Sequence, residues 1–209
     1  MLEQACSSFE GARVLHALCT KRRSGWLKRG IPSDHAETVY QHSRKCRTAA
    51  TLFFGYVLKS PRDQILLFAD QAEIHDFPEW DAPDYVPREV TEAVKYAAEY
   101  AALKRGTALV QPHGEYIERL WLSFENDDSF AVRALHDIDK LDAMVQAIEY
   151  ERQGYCVQDF YEYTSAVLRV PFFKRICAEM LSLRPEILKT RGGGAAYREY
   201  FQLIRSSSL

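Results

Sequence analysis

Apolar residues recur every three or four positions along most of the chain, the spacing of amphipathic helices, and strand alternation is hard to find. The pattern predicts a first helix from Leu2 to about Thr20. After a basic connector, a second is capped by Ser33 or Asp34 and runs to about Lys59. Pro61 opens a third in its first turn, which carries Ile65, Leu66, Phe68, Ala69 and Ala72 and ends near Asp76-Phe77-Pro78. The stretch from Phe77 to Pro87, with three prolines and three acids, reads as a loop. Further helices are expected over Arg88–Arg105, stopped by Gly106, and over Glu115–Phe124. A long one from Ser129 to Arg152 ends at Gly154. Two more fit Val157–Arg169 and Pro171–Leu183, and Gly192-Gly193-Gly194 links to a short last helix. The expected class is all-α.

At 209 residues the chain suits one domain and can bury a core without disulfide or metal staples. A formal charge of -2 excludes a global basic field for nucleic acid. The five cysteines (Cys6, Cys19, Cys46, Cys156, Cys177) are scattered and form no CxxC pair, which points to reduced thiols and a cytoplasmic setting. Met1-Leu2-Glu3-Gln4 lacks the layout of a signal peptide, and no apolar run approaches the roughly 18 residues of a membrane span.

Charge enters the picture where an apolar side chain is expected. His42 shares a helix face with Val39, Cys46 and Ala49. Asp139 shares one with Val132, Leu135 and Ala143, and a carboxylate there is costly to bury unless paired or bound to metal. Asp137 has Arg133 and Lys140 at helical spacing, so a solvated ion pair accounts for it, and Asp142 is intermediate. His-Asp occurs twice, at His75-Asp76 and His136-Asp137, and periodicity does not choose between them. Glu79, Asp81 and Asp84 favour the first pair, because carboxylates clustered beside His-Asp suit metal-assisted hydrolysis. His35, His113 and His136 read as helix-face or loop residues.

The order His42, then His75-Asp76, then Asp139 resembles the H…HD…D signature of HD-domain metal-dependent phosphohydrolases. Val39-Tyr40-Gln41-His42-Ser43 resembles the first-His motif, and Ile74-His75-Asp76-Phe77-Pro78-Glu79 the HDxxE motif. Asp139-Lys140-Leu141-Asp142 followed by Gln146–Glu151, and Arg23-Ser24-Gly25-Trp26 near the start, resemble the 5'-deoxynucleotidase branch. The resemblance implies a single HD-type helical bundle, with a core over about 10–165 and a C-terminal extension over 166–209. It implies one divalent transition metal (Mn, Co, Fe or Ni) held by His42, His75, Asp76 and Asp139. It assigns proton transfer to Glu79, a catalytic or sugar-side role to Asp84, phosphate binding to Arg23 and a nucleoside wall to Trp26. The implied substrate is a nucleotide or other phosphate ester, most directly a nucleoside or deoxyribonucleoside 5'-monophosphate, and the implied assembly is a homodimer. Two features depart from the branch. Pro83 stands where a glycine usually precedes the final acid, leaving Asp81 to compete with Asp84. Lys21, Arg22, Lys28 and Arg29 add charge that would suit a di- or triphosphate. A regulatory nucleotide-binding protein with a vestigial site is the reading from a different class.

Overall fold

The computed structural model describes residues 2–86 and 89–207, with side chains from residue 10 onward. Ten α-helices are formed among the described residues: α1 (Leu2–Thr20), α2 (Ser24–Leu27), α3 (Val39–Leu52), α4 (Arg62–Ile74), α5 (Glu92–Leu109), α6 (Gly114–Asn126), α7 (Phe130–Glu151), α8 (Gln158–Val167), α9 (Pro171–Lys189) and α10 (Ala195–Ser206). The all-α expectation holds: the described residues form no strand, only an isolated antiparallel bridge between Arg22 and Thr38. No helix among the described residues is long and apolar enough to cross a membrane.

Several expected boundaries move for visible reasons. The second expected helix begins at Val39, not at Ser33 or Asp34, because Thr38 and Gln41 form a reciprocal capping box: Gln41 N–H donates to Thr38 Oγ1 (3.1 Å) and Thr38 N–H to Gln41 Oε1 (2.9 Å). Its far end widens into a π-helical turn over Phe53–Val57. Gly106 does not stop α5. The helix runs through it to Leu109, and the glycine is there because a Cβ would come within 2.6 Å of Trp80 Nε1 and 2.8 Å of the Phe77 ring. The expected start of that helix at Arg88 lies outside the described residues, and Thr91 Oγ1 caps the observed start. Pro185 sits inside α9, which continues to Lys189.

The chain forms two compact units, one from residues 1–43 and 73–126 and the other from 44–72 and 127–209. In the first, α1 and α5 pack on a 3-10 turn over Phe77–Trp80, and α6 packs on α5. Val14, Phe77, Leu103 and Trp121 form its core, with Leu18, Ile74, Trp80 and Ile117 against them. Tyr96 and Tyr100 stack in parallel on the outer face, each in ring contact with the buried Trp121.

In the second unit, α7 is flanked by α8, α9 and α10, so most of its circumference is buried. Phe53, Phe172 and Phe173 meet with ring centroids 4.7–5.1 Å apart. Acids on α7 then start the neighbouring helices. Asp137 accepts from the backbone N–H of Arg169 (3.0 Å) and Val170 (2.7 Å), ahead of α9. Glu149 Oε1 accepts from Ala196 N–H (2.7 Å) in the first turn of α10.

Candidate metal and phosphate site

The site in the first unit is assembled by short local devices. Residues 21–23 pair with 37–39: Arg23 N–H donates to Glu37 O (2.9 Å) and Val39 N–H to Lys21 O (3.0 Å). This bridge puts Arg23 beside the capping box, and one residue past that box stands His42, fully buried at 0% exposure. After α4 the chain turns at His75-Asp76. Pro78 near the start of the 3-10 turn brings Glu79 N–H onto Asp76 O (3.0 Å). Lys21 Nζ donates to Glu79 O (2.6 Å) and to Ala82 O, which locks the turn against the connector.

The result converges on one atom, Asp76 Oδ2. His75 Nε2 lies 3.3 Å from it, Arg23 Nη1 3.3 Å and His42 Nε2 3.7 Å. The two imidazoles meet edge to face, with centroids 5.2 Å apart. Two ligand atoms each about 2.1 Å from an ion and at right angles to it are about 3 Å apart, so this spacing fits a pair of imidazoles and a carboxylate around a divalent cation. Burial pushes the Asp76 carboxyl up, but His75, Arg23 and His42 outweigh it, and the group is held far below the usual carboxylate range. It is therefore an anion at any working pH, as a ligand must be.

Glu79 goes the other way. It is 4% exposed, and burial first, then the charges of Asp76 and Asp84, raise it well above an ordinary glutamate against the opposing pull of Arg23. Its Oε2 accepts no hydrogen bond among the described residues. A buried carboxyl with a raised pKa keeps a proton that an ordinary carboxylate has already lost, which suits a group that moves protons.

The loop after Glu79 divides the two competing acids. Asp81 is bound by Arg105, from Nε at 2.7 Å and Nη2 at 2.6 Å, on the outer surface. Asp84 instead accepts from the Ser24 backbone N–H through Oδ2, while the Ser24 hydroxyl donates to Asp84 O. Asp84 thus holds the residue next to Arg23. Trp26 is 1% exposed and its Nε1 donates to Glu37 Oε2 (3.1 Å), so the indole packs beneath the Arg23 turn. The extra cations of the connector are engaged by the protein: Lys21 as above, Arg22 with Ala36 O (2.7 Å), Lys28 with Glu89 (2.8 Å) and Arg29 with Gly25 O (2.7 Å).

Asp139 belongs to the second unit. It lies on α7, 8% exposed, with Lys140 Nζ 2.7 Å from Oδ2. The reading of Asp137 as a solvated ion pair is corrected. It is 2% exposed and engaged by the backbone ahead of α9, while Arg133 pairs with Asp128. Sequence reasoning also passed over Lys95 and Glu99 on α5. Their signal was present, since positions 95, 99, 102 and 106 share one face of that helix and a charge there is out of pattern.

Two imidazoles, a carboxylate, a guanidinium and a buried glutamate gathered in one place form a set of groups compatible with metal-assisted phosphate chemistry. The HD domain family profile matches residues 15–173, and the chain belongs to that family. It is similar to the 5'-deoxynucleotidase YGK1 of Saccharomyces cerevisiae, 26% identical over 160 residues that cover 74% of this chain and 71% of the relative. It is likewise similar to the 5'-deoxynucleotidase HDDC2 of Dictyostelium discoideum, 25% identical over 183 residues, 82% of this chain and 95% of the relative. Among solved structures, a predicted metal-dependent phosphohydrolase from Magnetospirillum magnetotacticum shares the fold, with a TM-score of 0.59, 23% identity and 93% of each chain covered.

Proposed function

We propose that this chain is a 5'-nucleotidase that releases phosphate from deoxyribonucleoside 5'-monophosphates. The convergence of His42, His75 and Arg23 on Asp76 Oδ2 carries the reading, and the 5'-deoxynucleotidase relatives support the substrate class. His42, His75 and Asp76 would hold one divalent ion, with Asp139 as the fourth ligand that the HD signature implies, and Mn, Co, Fe or Ni suit two imidazoles and two carboxylates. When bound, the ion would lower the pKa of a water and polarise the phosphoryl group. The rest is work for the chain's own residues. Arg23 takes a phosphate oxygen through its guanidinium fork. Asp84, through Ser24, fixes the turn from which Arg23 reaches, and Trp26 supports that turn from below. Glu79 accepts a proton at Oε2 from the attacking water and returns it to the leaving 5'-oxygen. The free thiols of Cys19 and Cys156, both exposed, suit a reducing cytoplasmic setting. The same proposal includes a homodimer.

The test is phosphate release from a panel of ribo- and deoxyribonucleoside 5'-monophosphates by protein loaded with Mn or Co. Turnover of deoxyribonucleoside monophosphates that vanishes on chelation is expected. No release with Mn or Co, or undiminished release by Glu79→Gln, sinks the proposal.

A further inference from the structure

The capping box at the start of α3 places two further side chains. Thr38 is the N-cap and Gln41 the third helical residue, so Glu37 stands just before the cap and His42 is the fourth residue of the helix. Side chains at these two positions pack against each other, and the usual pair is apolar, a hydrophobic staple. Here the pair is a carboxylate and an imidazole. A carboxylate oxygen of Glu37 lies within 4.8 Å of a His42 ring nitrogen. The two residues are 4% and 0% exposed, and polar groups buried so deeply are costly unless they serve one another or a bound ion.

Glu37 is also tied to the phosphate side of the site. Its Oε2 accepts from Trp26 Nε1 (3.1 Å), and its carbonyl oxygen accepts from the Arg23 N–H (2.9 Å). Held through both side chain and backbone, the carboxylate stays at the head of α3. His42 Nε2 is the ring nitrogen that faces Asp76 Oδ2, at 3.7 Å. The two nitrogens of an imidazole point away from each other. An ion held by Nε2 leaves the proton on Nδ1, and the acceptor of that proton sets the tautomer and the orientation of a ligating histidine.

We infer that Glu37 is a positioning residue of the metal centre, whose carboxylate accepts the Nδ1 proton of His42 and so turns Nε2 toward the ion. The inference rests on the metal-dependent reading above and deepens it. It also links the two halves of the site, because the same carboxylate anchors the Trp26 indole beneath the Arg23 turn. A neutral amide of the same size can keep that anchor, yet it grips the histidine less firmly than a carboxylate does.

The experiment titrates Co(II) into full-length metal-free protein and follows the visible absorption of the bound ion, with urea unfolding of the metal-free protein alongside. Glu37→Gln should weaken Co(II) binding roughly ten- to a hundredfold, while metal-free stability holds at or above the wild-type level. At saturation its absorption band should match that of wild type, since the ligands are the same. Affinity within about twofold of wild type overturns the inference, and a fall in stability alongside would mark a carboxylate that only supports Trp26. A band that shifts at saturation overturns it too, by making Glu37 a ligand. If Glu37→Gln does not fold, Glu37→Asp, which draws the carboxylate back by one carbon, is read by the same titration and the same limits. Wild type that binds Co(II) but hydrolyses no nucleotide sinks the nucleotidase reading, while a weakened Glu37→Gln still supports this one. Wild type that binds no Co(II) overturns both.

Discussion

The chain contains the dipeptide His-Asp twice, and the two copies do opposite work. At His75-Asp76 the aspartate is the point on which three cationic or ligating nitrogens close within 3.3–3.7 Å, and its side chain keeps 16% exposure. At His136-Asp137 the aspartate is sealed at 2% exposure and its oxygens receive backbone N–H groups of Arg169 and Val170. The first carboxylate is driven far below its ordinary pKa by neighbouring charge. The second is pushed above it by burial, which outweighs the backbone hydrogen bonds that oppose it. Identical side chains thus separate into a strongly ionised carboxylate, the proposed ligand, and a structural cap, according to whether charges or peptide dipoles surround them.

The sharpest way to break this comparison is to remove each carboxylate in turn. Asp76→Ala should cut kcat/KM about a thousandfold and lower bound metal per protein, with the thermal midpoint nearly unchanged. Asp137→Ala should leave two buried N–H groups without their acceptor and cost about 2–4 kcal/mol in urea unfolding. Its activity per folded molecule should stay within about twofold of wild type. A variant at Asp137 that folds normally and loses metal would reverse the assignment of the two pairs.

The next effect is steric. Gly106→Ala puts a methyl 2.6 Å from Trp80 Nε1 and 2.8 Å from Phe77, on the turn that carries Glu79. Overpacking of this kind costs about 1–3 kcal/mol and, by displacing Glu79, should lower kcat about tenfold. Gly193→Ala is the control: nothing lies within 4 Å of its added Cβ, and both readouts should stay at the wild-type level. Equal stability and kcat for the two variants would show that α5 does not set the position of the turn.

Much of this was legible in the sequence, and the parts that were not share a cause. Helical periodicity marked α1, α6 and α7 to within two residues at either end. His42 announced itself as a polar residue on an apolar face. The start of α3 was misplaced because Ser33 and Asp34 are good caps locally, while the Thr38-Gln41 box is favoured only once residues 21–23 pair alongside. Gly106 read as a helix stop because its reason, the ring of Trp80, lies 26 positions earlier in the chain. Asp137 reads as a surface ion in the sequence because its partners are backbone groups some 30 residues on, which no side-chain pattern can report. What depends on local spacing can be read in advance; what depends on which distant backbone arrives at a side chain cannot.

The smallest predicted effect returns to the contrast between charge and peptide surroundings, now through pH. Burial lifts Glu99 to about 7, with Asp76 and Glu125 adding to the shift and Lys95 opposing it. An unfolded glutamate titrates near 4.5, so between about pH 4.5 and 7 the folded chain keeps a proton that the unfolded chain has released. Protonation therefore favours the fold, and this contribution is fully present below pH 4.5 and lost as pH rises through 7. In metal-free protein, urea stability should fall between pH 5 and pH 7.5 by on the order of 1–3 kcal/mol more in wild type than in Glu99→Gln. Loading the metal should shrink that difference, because a cation at Asp76 cancels one of the repulsions that raise Glu99. Parallel pH profiles for the two metal-free proteins would mean that Glu99, like Asp137, is governed by its immediate packing, and that the field of the site does not reach α5.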